Sequence, residues 1–433
     1  MLSDEQRQLR DTARDFAQRE LEPHAGRWDR EREVPAEALR ALAELGFLGL
    51  LVPEEQGGSG FDALGFCLAI EEISRSVPAL GLLLSIHNGP VCHLVRAAAT
   101  PEARARWLPR LAAGDVLGTF ALSELGAGSD IAGIATTYRR VAAEPPDAGG
   151  GRPRSSKKLM DSPGAPPPAG ATAAAAPASG FLLTGEKAWV SGVGVAGLAV
   201  VFARSAEAGN DVAGPAAAAE PRSRGNGGPD RRAGLSAFLV DLEATGVSEG
   251  PAEETMGLRA APVGSLALDG AVVPAEDLLG REGSGFALAQ DALAVGRLGI
   301  AAQSLGIAGR CIALAVAYAR ERRQFGRPIS EFQGVRLPLA DLAARLEAAR
   351  ALVYLAASEP ECRDHPARCA MAKLVASELA MAAALQAVQA FGGYGYVKDY
   401  PVERFFRDAK ACQIYEGTNE IQRVVIAKEL FHD

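Results

Sequence analysis

The 433-residue chain has no closely paired cysteines, no excess of basic charge and no uninterrupted apolar run of membrane-spanning length. Its six cysteines (Cys67, Cys92, Cys311, Cys362, Cys369, Cys412) are scattered without a C-x-x-C pair. That spacing fits neither a zinc site nor a disulfide framework, and it points to reduced thiols in a cytoplasmic protein. His365 and Cys369 stand one helical turn apart, too few ligands to hold a metal. With 45 basic against 53 acidic residues, a net charge of −8 and a pI near 5.4, a nucleic-acid or anionic-membrane surface is not expected. The start is acidic and reads as neither signal nor transit peptide, and Ser3 with Gln6 forms a capping box for an immediate helix. Leu379–Val397 is uncharged, but it carries Gln386, Gln389 and three glycines, so no membrane span is expected there.

What is present is an ordinary globular composition, 48% hydrophobic and 23% charged. The length suggests roughly three domains at about 150 residues each. Residues 1–115 read as helices: Leu39, Leu42, Leu45 and Phe47 form one apolar stripe, Ala63–Ile73 another, with a turn-rich loop at Pro53–Gly60 between them. Over 116–275 the texture changes to short, turn-bounded apolar runs at Leu117–Leu122, Phe181–Thr184, Leu198–Ala203, Leu235–Val240 and Val263–Leu268. They predict a β domain, barrel-like in form. Two inserts, 144–179 and 205–233, are dominated by Ala, Pro, Gly and Arg, and such composition favours loosely packed loops. Gly192-x-Gly194-x-x-Gly197 precedes a strand run instead of opening a helix, so it reads as a turn and not a dinucleotide loop.

Residues 276–433 return to helix. A seam from Phe286 to Tyr318 ends in Arg320–Pro328, a basic helix stop. Helical runs at Phe332–Leu355, Ala367–Phe391 and Arg407–Glu416 complete a predicted four-helix bundle. The fold class is therefore α+β in three parts. Within the last part lies a lone acid, Glu416, in Ile414-Tyr415-Glu416-Gly417-Thr418. A carboxylate among apolar neighbours is costly to bury as a charge, so its pKa rises and it becomes a stronger base. Gly417 lets a ligand approach the backbone closely. The plainer alternative for a Glu before a Gly is the end of a surface helix.

Four segments, taken together, resemble the acyl-CoA dehydrogenase family, with the closest likeness to its short-chain (butyryl-type) members. They are Phe120–Asp130, Lys187–Ser191, Arg322–Gly326 with Phe332-Gln333, and Gln389–Tyr396. The resemblance implies FAD as cofactor. It places Phe120, Leu122, Ser123, Gly128, Ser129, Trp189, Val190 and Ser191 around the flavin ring. Arg322, Gln324, Phe325, Gln333, Gln389, Gly392 and Gly393 hold the rest of the cofactor across a subunit boundary, with Thr418 and Glu420 also touching it. Ser129, Arg297 and Gly417 contact the acyl-CoA substrate. By the same resemblance Glu416 would take the α-proton while hydride leaves the β-carbon for the flavin, with the thioester oxygen held by the Glu416 N–H and a ribityl hydroxyl. The resemblance further implies that electrons pass to electron-transfer flavoprotein and that the assembly is a homotetramer acting in β-oxidation.

Two departures from the family pattern stand out. Ala294–Val295 offers no alternative base on the long helix, and Ala294 replaces an Asp common among relatives, which changes the hydrogen bonding around Arg297. The same fold also implies two other activities: an acyl-CoA oxidase or flavin monooxygenase, and a non-catalytic flavoprotein that binds nucleic acid. The retained base disfavours a monooxygenase, and the acidic balance disfavours nucleic-acid binding.

Overall fold

The computed structural model describes residues 2–32, 36–142, 179–206 and 232–432. The capping box forms: the Gln6 N–H donates to Ser3 Oγ and the Ser3 N–H to Gln6 Oε1, opening α1 (Asp4–Phe16). There follow α2 (Ala25–Glu31), α3 (Ala36–Glu44), α4 (Ala63–Ser74), α5 (Pro78–Ile86), α6 (His93–Ala98) and α7 (Pro101–Ala112). Asp62 and Thr100 cap α4 and α7 by accepting the N–H groups of Gly65 and Ala103. Leu39, Leu42 and Phe47 are buried as their spacing predicts. Leu45 is not: it is 44% exposed, because α3 ends at Glu44 and Gly46 turns the chain with φ +78°.

The middle part is one eight-stranded sheet of β1 (Gly118–Ala121), β2 (Thr137–Ala142), β3 (Ser179–Ser191), β4 (Leu198–Ser205), β5 (Leu235–Asp241), β6 (Val247–Glu249), β7 (Val263–Pro274) and β8 (Leu278–Leu279). Its order is β6-β7-β3-β2-β4-β5-β8, with β1 running parallel to β4. Among the described residues β6 and β8, the two ends of this order, do not pair with each other. The sheet continues past residue 275, because β8 pairs with β5. The glycine motif at 192–197 is the β3–β4 turn, closed by the Val195 and Ala196 N–H groups on the Gly192 carbonyl. The expected inserts at 144–179 and 205–233 fall, apart from their edges, outside the described residues.

Two cores share the central strands. Along β4, Leu198, Val200 and Phe202 join the helical core, while Ala199, Val201 and Ala203 join a second core on the other face of the sheet. Along β5, Leu235, Ala237 and Leu239 face the helices, and Phe238 and Val240 face away. A strand buried on both faces cannot alternate in polarity, so it reads as a continuous apolar run. Tyr138, Phe181 and Phe238 close the second core with edge-to-face contacts at centroid distances of 5.7, 5.0 and 5.1 Å.

The C-terminal bundle consists of α8 (Gly285–Glu321), α9 (Gln333–Ser358), α10 (His365–Phe391), α11 (Val402–Cys412) and α12 (Asn419–Phe431). Helix α10 packs on the other four, and α8 also packs on α4 and α5. By length and composition α8 and His365–Tyr396 could each cross a membrane, but α8 is the interior helix of the bundle and most of its apolar window is buried. The run expected to be helical over Arg407–Glu416 ends at Cys412. Glu416 lies in the link before α12 with a left-handed φ of +52°.

Candidate active site

Helices α8, α10 and α12 converge on the 413–418 link. A Cβ built on Gly296 of α8 would lie 2.6 Å from Glu416 Oε2 and 2.7 Å from its carboxyl carbon, so the carboxylate rests directly on the α8 backbone. Oε2 is buried and has no hydrogen-bond partner among the described residues. Burial raises the Glu416 pKa to about 7, and the positive charges of Arg297 and Lys373 hold it from rising further. The Glu416 N–H donates to no acceptor among the described residues, which leaves it free for a ligand. Arg297 is 7% exposed, its Nε has no hydrogen-bond partner among the described residues, and burial lowers its pKa against the opposing charge of Glu416.

The link is held from three sides. Lys373 Nζ donates to the Gly417 carbonyl at 2.9 Å, and Gln422 Nε2 donates to the Gly417 and Glu416 carbonyls at 2.7 and 3.0 Å. The Tyr415 hydroxyl donates to Gln303 Oε1 at 2.6 Å, and Gln303 donates in turn to the Pro78 carbonyl at 2.7 Å. A non-glycine residue at positive φ is disfavoured by about 1–2 kcal/mol, so these bonds fix a conformation that Glu416 would otherwise leave.

A second sector forms where the loop after β1 meets β3. The Ala188 N–H donates to the Ser123 carbonyl at 2.9 Å. Glu124 Oε1 accepts from Lys187 Nζ at 2.7 Å, and the Glu124 carboxylate also accepts from the Ala135 and Thr136 N–H groups and the Thr136 hydroxyl. Burial opposes the Glu124 charge, but Lys187 and these donors outweigh it and hold the carboxyl below its usual range. Burial pulls Lys187 down to about 8, so both partners are ionised at neutral pH. Beside this clamp the β3–β7 register slips between Lys187 and Val190. The bulge gives Trp189 a φ of +59°, and the residue is 61% exposed. Gly126 and Gly128 face open space, and Ser129 is exposed beside them.

The two sectors meet through His87–Cys92, a π-helical segment containing Pro90. His87 accepts the Gly118 N–H through Nδ1, while Nε2 lies 3.0 and 3.2 Å from the carbonyls of Leu48 and Leu111. Burial lowers its pKa to about 4, so it is neutral, with the proton assigned to Nε2 by those partners. Gly89 in this segment faces Val295 and the Gly296 N–H. One short segment thus touches both β1 and the floor beneath Glu416.

A third sector is a groove of about 940 Å³ lined by Arg322, Gln324, Ile329, Gly392, Gly393 and Tyr394, among others. Glu416 is not among its lining residues. An exposed aromatic beside an open backbone loop, and a separate groove with an arginine and a glycine pair, fit the two ends of an FAD. On the residue level the sequence expectations divide. Ser123 meets the Trp189 segment, Arg322 meets Gly392 and Gly393, and Glu416 and Gly417 lie near Arg297. Phe325, Gln333 and Gln389 are exposed and do not line the groove. The Val190 side chain belongs to the second core, and Phe120 packs edge-on against Phe202 at 5.3 Å. Leu122 is buried, the Ser191 carbonyl accepts from the Thr119 hydroxyl, Thr418 caps α12 and Glu420 is exposed in its first turn. The sequence reading missed Gly296, Lys373, Gln422 and the Glu124–Lys187 clamp.

Residues 3–115, 162–271 and 283–431 match the family models for the acyl-CoA dehydrogenase N-terminal, middle and C-terminal domains. The chain is 39% identical to an acyl-CoA dehydrogenase of Bacillus subtilis, over 99% of this chain and 98% of the relative. It is 37% identical to the bovine mitochondrial short-chain specific acyl-CoA dehydrogenase, over 98% of this chain and 89% of the relative. The butyryl-CoA dehydrogenase structure from Megasphaera elsdenii superposes with a TM-score of 0.82 at 33% identity, covering 100% of this chain and 99% of that one. The chain belongs to the acyl-CoA dehydrogenase family, oxidoreductases whose cofactor is FAD.

Proposed function

We propose that the protein oxidises an acyl-CoA thioester to the trans-2-enoyl-CoA, with Glu416 as the base, and passes the electrons to an electron-transfer flavoprotein. The observation that carries this reading is the Glu416 carboxylate: desolvated, seated on Gly296, with one oxygen unpartnered among the described residues and a pKa of about 7. Such a group takes a proton from the carbon next to the thioester through Oε2. The free Glu416 N–H donates to the thioester oxygen as enolate-like charge gathers there. Arg297 and Lys373 add positive potential to the same pocket. Ser123, Gly128, Ser129 and Trp189 would hold the flavin ring, and Arg322, Gln324, Gly392 and Gly393 its adenosine end. Bound FAD supplies the acceptor for the hydride leaving the β-carbon.

Glu416→Gln tests the reading. It keeps size and packing while removing basicity. The variant should bind FAD and butyryl-CoA, yet its anaerobic flavin bleaching in stopped flow should slow by on the order of 10²–10⁴. In the parent protein bleaching should speed up as pH rises through about 7, because the base works as the carboxylate. Bleaching by the variant near the parent rate would assign the base elsewhere.

A further inference from the structure

Lys373 lies in the first half of α10 with no exposed surface, and among the described residues no carboxylate lies within ion-pairing distance of it. Its Nζ donates to the Gly417 carbonyl and to Asn419 Oδ1, each at 2.9 Å. Asn419 Oδ1 also accepts from the Ser377 hydroxyl at 3.1 Å, one turn further along α10. An ammonium is an expensive way to fill this place, because burying an unpaired charge costs several kcal/mol. An apolar side chain would pack α10 as well, and Gln422 already serves the Gly417 carbonyl at 2.7 Å. Packing and carbonyl satisfaction therefore leave the charge itself unexplained.

We propose that Lys373 is a positioning residue for the base: it locks the left-handed Glu416–Gly417 backbone through the Gly417 carbonyl, and its charge favours the ionised Glu416 carboxylate. This rests on the reading of Glu416 as the base. Two cations face Glu416, Arg297 from α8 and Lys373 from α10. Lys373 itself faces Cys412 of α11, Glu416, Arg297 and Glu420 of α12. Burial brings Lys373 down to about 8, so it still carries its charge at neutral pH. Removing that charge leaves Arg297 alone to oppose desolvation of the carboxyl, and Glu416 must hold its proton to higher pH.

The test compares Lys373→Gln, Lys373→Met and Lys373→Arg in the FAD-loaded protein. Difference infrared spectroscopy follows the protonated carboxyl band of Glu416, identified by its loss in Glu416→Gln. Lys373→Gln and Lys373→Met should move its midpoint up by about 0.5 pH unit or more, while Lys373→Arg leaves it in place. The pH profile of flavin bleaching should shift with it. At high pH Lys373→Gln should lose less activity than Lys373→Met, which lacks a donor to Gly417 and should stay roughly tenfold below the parent. If Lys373→Met does not accumulate as folded protein, Lys373→Gln alone decides. A purely structural lysine would leave the midpoint where it is, and an unmoved midpoint in folded Lys373→Gln overturns the proposal. If Glu416 is not the base, Glu416→Gln would still bleach while the infrared midpoint still moved, so the two failures are separable.

Discussion

At position 296 a hydrogen stands where any other residue would place a carbon 2.6 Å from the Glu416 carboxylate. The clash is with the far end of a side chain, so Gly296→Ala should fold, and the carboxylate should be the part that moves. We expect flavin bleaching to fall by roughly 10- to 100-fold, since catalysis tolerates little displacement of a positioned group, with FAD content unchanged. Parent-like bleaching would mean that the carboxylate has room to spare. Glu416 is legible in the sequence because an acid among apolar residues next to glycine is a local pattern. Gly296 is not, since its role exists only once α8 and the 413–418 link are brought together. Lys373 left a fainter trace, a charge set among apolar residues of α10 with Ser377 one turn on; its partner Gly417 is 44 residues away.

Strands show the same division. β4 and β5 were plain in the sequence because both faces are buried, whereas β3 was read as Phe181–Thr184 and runs to Ser191. Gly185, Glu186 and Lys187 break its apolar run, and Lys187 can lie inside only because Glu124 reaches it. The stop of α11 at Cys412 was missed because neither glycine nor proline marks it. The register also fixes where the two long segments leave the sheet. Ala142 pairs with Ser179 at the end of β2 and β3, and Arg204 pairs with Leu235 near the end of β4 and β5. Each segment therefore joins two strand ends already side by side. Replacing 143–178 or 207–231 with a short turn should leave soluble, flavin-loaded protein. A roughly tenfold shorter loop should favour closure by about 2 kcal/mol in the flexible-loop limit. Loss of FAD in either deletion, read from the absorbance ratio of flavin to protein, would show that the segment does more than connect.

On the scale of the whole molecule, Phe325, 92% exposed, and Tyr396, 89% exposed, stand next in sequence to Gln324 and Val397, which line the groove at Arg322 and Gly392. Side chains that apolar and that exposed fit a surface covered by another subunit, as the family resemblance implies. Light scattering on the FAD-saturated protein should report an oligomer, a tetramer by that resemblance, and a stable, active monomer would refute it. The shared strands set a different limit. Because β4 and β5 each give one face to the helices and the other to the second core, neither part could be cut away without baring half of the other's interior. A chain built this way cannot trade its sheet or its bundle as a module. Added length is tolerated where neighbouring strand ends already stand side by side, as Ala142 and Ser179 do, and as Arg204 and Leu235 do.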